Sequence, residues 1–418
     1  MFFGWYIVGA SFLIALYVSG SINLGFTAVF EPIASELSWS YTQISLAASL
    51  RGLETGLLAP LAGMLIDRWG PRPVVMSGTF LTGLGLLLLS CISSLTTFYI
   101  SFIVIAAGVS TATSALLMTA VANWFQKRAG LAMGIAASGV ALGGLLIPII
   151  TLLVDIFGWR QAMVIIGLGM WTIPLPLSLI LRHKPEQYGY RPDGVQGRSV
   201  VDNDDAFLKR KNNINITNKT ILYSWAFWVI AVAFFFHIMP VSAVMTHIMP
   251  YLSTIGIERT TASIIASALP ILTIFGRIGF GWLGDFIDKR AVVVFSFSLT
   301  ALGVLLLGFV TVERIWLIVS FIIVFGIGWG GAVPMIAGLL KAYFGQERLG
   351  TIVGFAGSVM MAGMMVGAPL AGWVFDKWGR YQPAWFLLAG VVGLSAIVFY
   401  VCLKNQITLQ ERQRDERP

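Results

Sequence analysis

Twelve apolar stretches follow one another along the chain, and each is long enough to cross a bilayer as a helix. About twenty residues suffice for this, because the hydrocarbon core is roughly 30 Å thick and a helix rises about 1.5 Å per residue. With 57% hydrophobic and 11% charged residues, the chain is unlike an ordinary soluble protein. The pattern predicts an all-α membrane protein. We number the twelve predicted spans 1 to 12 in chain order, at residues 5–30, 42–66, 73–93, 97–122, 130–153, 160–182, 223–252, 261–284, 291–311, 314–340, 350–375 and 383–403.

One long polar stretch divides these spans into six and six. Residues 183–222 are rich in Asp, Asn, Lys and Arg, which is typical of a linker on the water side of a membrane. The predicted organisation is a six-helix bundle at 1–182, a cytoplasmic interdomain linker at 183–222, a second six-helix bundle at 223–404 and a cytoplasmic tail at 405–418.

The basic residues are distributed unequally between the two sides of the predicted membrane. With both termini inside, twenty of the 27 Lys and Arg residues lie on the inner side, five on the outer side, and Arg51 and Arg277 within spans. Inner loops of membrane proteins carry an excess of positive charge, so the bias predicts an N-in and C-in orientation. The net charge of +8 therefore follows from membrane topology, and no nucleic-acid partner is expected.

The two halves of the chain repeat one another. Residues 63–72 match 281–290 at an offset of 218, and residues 130–158 match 350–379 with one inserted residue. Two parallel six-span repeats, pseudo-symmetric about an axis along the membrane normal, resemble the major facilitator superfamily. That resemblance implies a central cavity lined by spans 1, 4, 7 and 10. In the second match, Gly130, Gly134, Gly143, Asp155 and Gly158 correspond to Gly350, Gly354, Gly363, Asp376 and Gly379.

A lone arginine, Arg277, lies near the middle of span 8. An arginine at that depth costs about 2.5–3.5 kcal/mol on insertion scales, so it faces protein or a wet cavity rather than lipid. No carboxylate is adjacent to it in span 8, and our hypothesis is that Arg277 binds a substrate carboxylate. The alternative is an arginine satisfied by backbone carbonyls or by a distant acid.

Charged turns follow spans 2 and 8. The first resembles the signature that major facilitators carry between spans 2 and 3, and an acid in such a turn can offset the positive end of a neighbouring helix. The resemblance implies a cytoplasmic latch that forms in one conformation and breaks in the other. The alternative is a charged turn that only marks topology. The latch residues are Gly63, Asp67, Arg68 and Arg72, and in the second copy Gly281, Asp285 and Arg290.

A more specific resemblance lies at residues 124–139, WFQKRAGLAMGIAASG. An aromatic pair, basic residues and a Leu-Ala-x-Gly-x-Ala-x-x-Gly segment resemble the motif that leads into span 5 of the monocarboxylate transporter family. Arg277-x3-Gly281-x3-Asp285 is similar to that family's span 8, where an arginine binds the substrate carboxylate. The resemblance covers the whole chain, which is identified as a bacterial-type member of this family.

Two positions depart from the animal members of the family. Thr273 stands where they have an aspartate, and Asn23 or Leu24 stands where they have a lysine. Those charged residues are tied to proton coupling in the family, so the resemblance does not carry the coupling residues over to this chain. Thr273, Asn23 and Leu24 are predicted to contact the substrate. The oxalate/formate exchangers also look similar, since Trp329 begins a Trp-Gly-Gly sequence in span 10. Residues 351–375 lack the second cation of those exchangers, and a single cation favours a monoanion.

Other polar residues within the spans have two interpretations each. Arg51 and Glu54 lie three residues apart and form either a neutral ion pair or a proton site. His237 in span 7 has either a polar packing role or a role in proton relay or substrate contact. Ser114 in span 4 is a candidate hydroxyl donor to a carboxylate.

These features predict a multi-pass transporter of the plasma (inner) membrane that functions as a monomer. We expect it to carry a small monocarboxylate, lactate-like or pyruvate-like, coupled to a proton. The alternative is an organic-anion exchanger, or an exporter of other organic or aromatic acids. No catalytic motif and no Cys/His metal spacing occurs in the sequence, and nothing implies a cofactor.

Overall fold

In the computed structural model, every described element of regular secondary structure is helical. Within the described residues, nine apolar helical stretches are long enough to cross a membrane. One of them, Leu131–Ser178, includes both span 5 and span 6, and span 4 is the shorter apolar helix Leu95–Thr111. The helical multi-pass architecture is confirmed, whereas the number twelve and the orientation stay predictions. The described residues are 2–53, 64–65, 68–112, 117–118, 120–121, 123–125, 128–183, 185–188, 224–344 and 349–404.

The helices fall into two sets, one on each side of the predicted linker. Linker residues 184 and 189–222 and tail residues 405–418 lie outside the described part. The α-helices of the first half are Gly4–Val18, Phe26–Leu37, Tyr41–Leu53, Pro71–Ser90, Leu95–Thr111, Ala129–Leu142, Leu146–Thr172 and Pro174–Ser178. Those of the second half are Trp225–Thr254, Arg259–Phe286, Lys289–Gly308, Leu317–Phe344, Leu349–Trp378 and Gln382–Lys404. Shorter turns of 3₁₀-helix are Gly143–Leu145, Pro185–Tyr188 and Val312–Arg314.

Span 1 is continuous through a stretch of π-helix at Ser19–Leu24. There the N–H of Gly25 donates to the carbonyl of Gly20 at 2.8 Å, which is the i→i−5 bond of a π-helix. The extra residue in this turn rotates the following helix, Phe26–Leu37, relative to the preceding one. Span 1 thus reaches from Gly4 to Leu37 and is longer than its hydropathy predicts.

Matching glycines end the matching spans of the two halves. Gly158 has φ 78° and Gly379 has φ 66°, a left-handed conformation that side chains with a Cβ disfavour. Gly158 separates span 5 from span 6 inside the helical stretch Leu146–Thr172, and Gly379 separates span 11 from span 12. These two glycines correspond in the internal repeat, so the same residue makes the same turn in each half.

Matching glycines also bring matching helices close together. A Cβ on Gly143 of span 5 would lie 2.7 Å from the backbone nitrogen of Gly20 in span 1. A Cβ on Gly363 of span 11 would lie 2.4 Å from the carbonyl oxygen of Phe235 in span 7. Small residues permit this backbone approach between membrane helices. Spans 5 and 11 therefore pack on spans 1 and 7 in the same way.

The two halves meet at one end of the bundle, which contains Tyr41, Arg259 and Trp378. We call this the outer end, after the orientation that the basic residues predict. A Cβ on Gly372 of span 11 would lie 2.8 Å from the carbonyl oxygen of Tyr41 in span 2. A Cβ on Gly144 of span 5 would lie 2.5 Å from the ring of Pro270 in span 8. The backbones of the two halves are thus in direct contact there.

Glycines nearer the opposite end have open space beside them. A Cβ on Gly134 of span 5, Gly281 of span 8 or Gly354 of span 11 would meet no described atom within 4 Å. The larger cluster of buried apolar residues contains side chains from both halves, whereas the second cluster contains only residues of the second half. Among the described residues, the halves are therefore in contact at the outer end, and the buried apolar residues of the second cluster, toward the other end, come from one half only.

Candidate functional site

Arg277 lies about two thirds of the way along its helix from the outer end. The helix Arg259–Phe286 begins 18 residues before Arg277 and ends nine residues after it. At about 1.5 Å per residue, Arg277 is roughly 27 Å from the outer end of this helix and roughly 14 Å from its other end. This depth is beyond the contact between the halves at Pro270.

The face of the helix that carries Arg277 is the face turned toward the other half. Pro270 is seven residues before Arg277, and a seven-residue separation in a helix returns to nearly the same direction. Pro270 contacts Gly144 of span 5, so Arg277 projects in that direction two turns further along. Gly281, one turn beyond Arg277 on this side, faces open space. Arg277 therefore lies on the face of span 8 that is turned toward the other half.

The guanidinium of Arg277 has an unused donor. Its Nε is buried and has no hydrogen-bond partner among the described residues. None of the ion pairs found in that part of the chain includes Arg277. A buried donor without an acceptor costs about 1–3 kcal/mol, and more when the group is charged. The arrangement can bind an anionic oxygen, which would satisfy both the charge and the free N–H.

Span 10 holds the Arg277 segment in place through close backbone contacts. A Cβ on Gly276 would lie 2.3 Å from the carbonyl oxygen of Ile327, and one on Gly330 would lie 2.2 Å from that of Thr273. The hydroxyl of Thr273 donates to the carbonyl oxygen of Pro270 at 2.6 Å, and Thr273 is buried. Thr273 therefore belongs to the support of Arg277, with its hydroxyl hydrogen in use.

The Trp-Gly-Gly sequence of span 10 has two roles in the structure. Gly330 contacts Thr273 as described, and a Cβ on Gly331 would lie 2.6 Å from the ring of Phe280 in span 8. Trp329 is partly exposed, and its ring packs near that of Phe325 at 6.3 Å between centroids. The two glycines fit span 10 against span 8, and Trp329 alone has surface left for a ligand.

Of the two candidates in span 1, only Asn23 has an exposed side chain. Asn23 is exposed, whereas Leu24 is 6% exposed and packs in the core. Both lie in the π-helical stretch Ser19–Leu24, and such insertions in α-helices are frequent at functional sites. This placement favours Asn23 over Leu24 as the candidate, and its role in substrate contact stays a prediction.

His237 lies inside the second half, between spans 7 and 9. Its Nε2 is 3.1 Å from the hydroxyl oxygen of Thr300, and its ring stacks on Phe297 at 4.4 Å. His237 is 1% exposed. This placement favours the polar packing role among the two interpretations that the sequence left open.

The predicted latches are described only in part. Gly63, Asp67, Glu54 and Ser114 lie outside the described residues, and so do the side chains of Arg51 and Asp285. The side chains of Arg68 and Arg72 are exposed. The Nε of Arg290 donates to Asp288 at 2.9 Å and its Nη1 donates to the carbonyl oxygen of Leu403 at 2.8 Å. Both partners are in the second half, so these contacts of Arg290 do not join the halves.

Polar contacts join the two halves at the outer end. His247 is fully buried, and its Nε2 is 2.9 Å from the hydroxyl oxygen of Ser45 in the other half. Asp376 and Arg259 also bind across the halves. Asp155 and Asp376 carry one signal in the sequence, since they occupy matching positions near the ends of spans 5 and 11.

Comparisons with known proteins agree on the family. The family model "Major Facilitator Superfamily" matches residues 10–258 and 242–418. "Monocarboxylate transporter 13" of Bos taurus is 26% identical over 417 residues, covering 96% of this chain and 90% of its own. "Monocarboxylate transporter 2" of Homo sapiens is 24% identical, covering 99% and 88%.

Solved structures show the same fold. A bacterial homolog of the human lysosomal transporter Spinster, in an inward-facing and occupied conformation, superposes with a TM-score of 0.72 at 16% identity. The match covers 96% of this chain and 97% of that one. The nucleoside transporter NupG superposes with a TM-score of 0.70 at 15% identity, covering 96% and 99%.

Proposed function

Because the chain belongs to the major facilitator superfamily, we propose that it carries a small monocarboxylate, lactate-like or pyruvate-like, across the membrane by alternating access and together with a proton. The chain is a multi-pass membrane transporter and not an enzyme. Its similarity to monocarboxylate transporters extends over nearly its whole length, which supports the choice of substrate class.

The observation that supports this proposal most directly is the buried Nε of Arg277, which has no hydrogen-bond partner in the described part of the chain and belongs to the face turned toward the other half. A carboxylate has two oxygens in the geometry that a guanidinium fork accepts, and such bidentate pairs are among the strongest hydrogen-bonded contacts. The carboxylate would satisfy the unused donor and neutralise the charge. Asn23 and Trp329 are the proposed neighbours of the substrate from spans 1 and 10.

Charge balance favours a coupled process. Moving one bare monoanion inward against a potential of 100 mV costs about 2.3 kcal/mol. Co-transport of one proton makes the step electrically neutral, and so does exchange for another monoanion. With Arg277 paired to the carboxylate, the cavity can also close without enclosing an uncompensated charge.

The structure corresponds, in this proposal, to the conformation that is open toward the cytoplasm. Within the described part of the chain, the halves are in contact at the outer end, whereas a Cβ on Gly134, Gly281 or Gly354 toward the other end would meet no atom within 4 Å. If both termini are inside, the open end faces inward. A substrate at Arg277 would then leave toward the cytoplasm, and the return to the outward-open conformation would require separation at the outer end.

Uptake of labelled L-lactate into proteoliposomes tests the proposal. The measurement is made with and without an inward proton gradient, and with and without unlabelled acid inside. Uptake driven by the gradient supports proton symport, whereas uptake that needs internal acid indicates the organic-anion exchanger. Absence of uptake under all conditions, also with pyruvate, would refute this substrate class.

Variants of Arg277 test the proposed site. Arg277→Gln removes the charge, and the loss of two charge-assisted hydrogen bonds, at about 1.5–3 kcal/mol each, predicts at least a hundredfold fall in uptake. Arg277→Lys keeps the charge and loses the fork geometry, so intermediate activity is expected. Thermal stability in detergent should change little in both. Normal uptake by Arg277→Gln would remove Arg277 from the site.

We further propose that the transporter functions as a monomer in the plasma (inner) membrane. One chain with two six-span halves contains both sides of a complete pathway. Uptake per molecule that does not change as the protein is diluted in the liposomes would support a monomer.

A further inference from the structure

Asp376, near the end of span 11, binds the first residues of span 2 in the other half. Its carboxylate accepts hydrogen bonds from the backbone N–H of Tyr41 at 2.9 Å and of Thr42 at 2.8 Å, and from the hydroxyl of Thr42. The helix Tyr41–Leu53 begins at these residues. The first N–H groups of a helix have no partner within the helix and carry a partial positive charge. Asp376 therefore caps a helix of the first half from the second half.

Asp155, the repeat counterpart of Asp376, makes a related contact at the start of span 8. It accepts a hydrogen bond from Nε of Arg259 at 2.9 Å. Arg259 is the first residue of the helix Arg259–Phe286, and the flanking Glu258 makes no side-chain cap there. Tyr41 and Arg259 are themselves related by the repeat offset of 218. In both halves, then, an acid near the end of spans 5 and 11 binds the beginning of spans 8 and 2 across the molecule.

Arg259 has two additional partners in the first half. Its Nη2 donates to the carbonyl oxygen of Ala28 at 3.0 Å, and Nη1 lies 3.8 Å from the carboxylate of Glu31. A cation at the positive end of a helix is unfavourable without such partners. Loss of Asp155 alone leaves Ala28 and Glu31 in place. The Asp155–Arg259 contact therefore contributes less to holding the halves together than the contact of Asp376 with Tyr41 and Thr42.

The surroundings of Asp376 make its bonds specific to the closed outer end. The neighbouring Phe375 packs on Tyr41 at 4.4 Å between ring centroids, and Asp376 itself is exposed. All three hydrogen bonds to Asp376 come from the first half, and opening the outer end would break all of them at once. The contact then contributes to the free energy of one conformation only, which is the condition for shifting a two-state equilibrium.

His247 differs from Asp376 in this respect. Its Nε2 lies 2.9 Å from the carbonyl oxygen of Ala368, and its Nδ1 lies 3.0 Å from the hydroxyl of Tyr381, both within the second half. A carbonyl only accepts, so Nε2 carries the hydrogen and Nδ1 accepts from Tyr381. Burial raises the pKa of Tyr381 well above its usual value of 10, so Tyr381 remains a donor. His247 keeps these two bonds when the halves separate and loses only its contact with Ser45, so it favours the closed outer end less than Asp376 does.

We propose that Asp376 and Asp155 are reciprocal locks of the outer end, with Asp376 the dominant one, and that they set the balance between the two conformations of the transporter. The predicted latches at 63–72 and 281–290 belong to the opposite end of the molecule. The Asp376 and Asp155 locks thus stabilise the conformation in which that opposite end is open.

The test measures opening of the outer end without any substrate, so its outcome is independent of the proposed monocarboxylate transport. Ser45 is fully buried in the contact, and Ser45→Cys introduces a reporter thiol of nearly the same size. Cys91 and Cys402 are first replaced by serine so that only the reporter reacts. The rate of reaction with a membrane-impermeant maleimide applied from the outside, in right-side-out liposomes, reports the population of the open outer end.

Asp376→Ala should raise the labelling rate about tenfold, which corresponds to about 1.4 kcal/mol. Asp376→Asn retains one acceptor and should give an intermediate rate, and Asp155→Ala should raise the rate less than Asp376→Ala. The matched control is Ser94→Ala, which removes the cap of span 4 within one half. This control should not change the labelling rate.

The proposal is overturned if Asp376→Ala leaves the labelling rate unchanged, or if Ser94→Ala raises it equally. Should Asp376→Ala fail to give monodisperse protein, Thr42→Val tests the same contact from the other side. It removes the hydroxyl donor to Asp376 and preserves side-chain shape. A labelling rate of Thr42→Val equal to that of the unchanged chain would likewise refute the lock.

Discussion

Two glycines on either side of Arg277 allow its support to be tested by one kind of substitution. Gly276 lies one residue before Arg277, and a Cβ there would be 2.3 Å from the carbonyl oxygen of Ile327 and 3.0 Å from the Cα of Gly330. Gly279 lies two residues after Arg277, and a Cβ there would meet no described atom within 4 Å. Gly276→Ala and Gly279→Ala are therefore a matched pair in one helix.

The structure gives the expected magnitude of each effect. An ordinary Cβ contact lies at 3.4–4 Å, so Gly276→Ala requires spans 8 and 10 to separate by about 1 Å. Overpacking of this kind costs about 1–3 kcal/mol, from which the better helix propensity of alanine recovers up to about 1 kcal/mol. Gly279→Ala gains the helix propensity of alanine without any overpacking. A displacement of about 1 Å at a binding group reduces activity by about a hundredfold.

Initial rates of uptake and thermal unfolding in detergent distinguish the two variants. Gly276→Ala should lower uptake by about 10- to 100-fold and reduce thermal stability, whereas Gly279→Ala should transport normally and be equally or slightly more stable. Gly330→Ala, from the opposite helix, would meet the carbonyl of Thr273 at 2.2 Å and should behave as Gly276→Ala does. Equal uptake by the two span 8 variants would refute the argument that span 10 positions Arg277.

Three further outcomes follow from other contacts. Gly372→Val should prevent closure at the outer end and abolish uptake, because the carbonyl of Tyr41 leaves no space for a side chain. The control Gly390→Val should transport normally, because a Cβ there meets no described atom within 4 Å. Uptake by both variants would contradict the close contact at Gly372. His237→Gln should lower the unfolding temperature by a few degrees without changing KM, since the side chain binds Thr300 rather than the gap between the halves; a raised KM would return His237 to the site. Glu54→Gln should alter the pH dependence of uptake if Glu54 is the proton site, and an unchanged pH profile removes it from that role.

Several features of the fold were predictable because they depend on local sequence. Hydropathy alone identifies the membrane helices, since each span must satisfy its backbone hydrogen bonds internally and expose apolar side chains to lipid. The repeat correctly related Gly158 to Gly379, because only glycine adopts φ 78° and φ 66° without strain. The family was also predictable, because the glycine and charge spacings of its motifs are visible in the sequence without knowledge of tertiary packing.

The candidate site was predictable only in its central residue. Arg277 is exceptional in any membrane span, so its importance follows from its chemistry. The sequence could not choose between Asn23 and Leu24, because the π-helical stretch Ser19–Leu24 changes the direction of the following side chains. It could not assign Gly330 to packing against Thr273, since these residues are more than fifty positions apart in the chain and their contact depends on the relative rotation of two helices.

By itself, the sequence determined the helical multi-pass architecture, the repeat of the two halves and the presence of a lone arginine within span 8. Only the tertiary structure decided that Arg277 lies on the face of span 8 turned toward the other half, that His237 packs against Thr300, and that Asp376 caps the helix beginning at Tyr41. The physical reason is that these features depend on interactions between residues at different distances along the chain. Helix formation depends on residues within one or two turns, whereas the partner of an acid at one end of span 11 depends on how two whole bundles lie against each other.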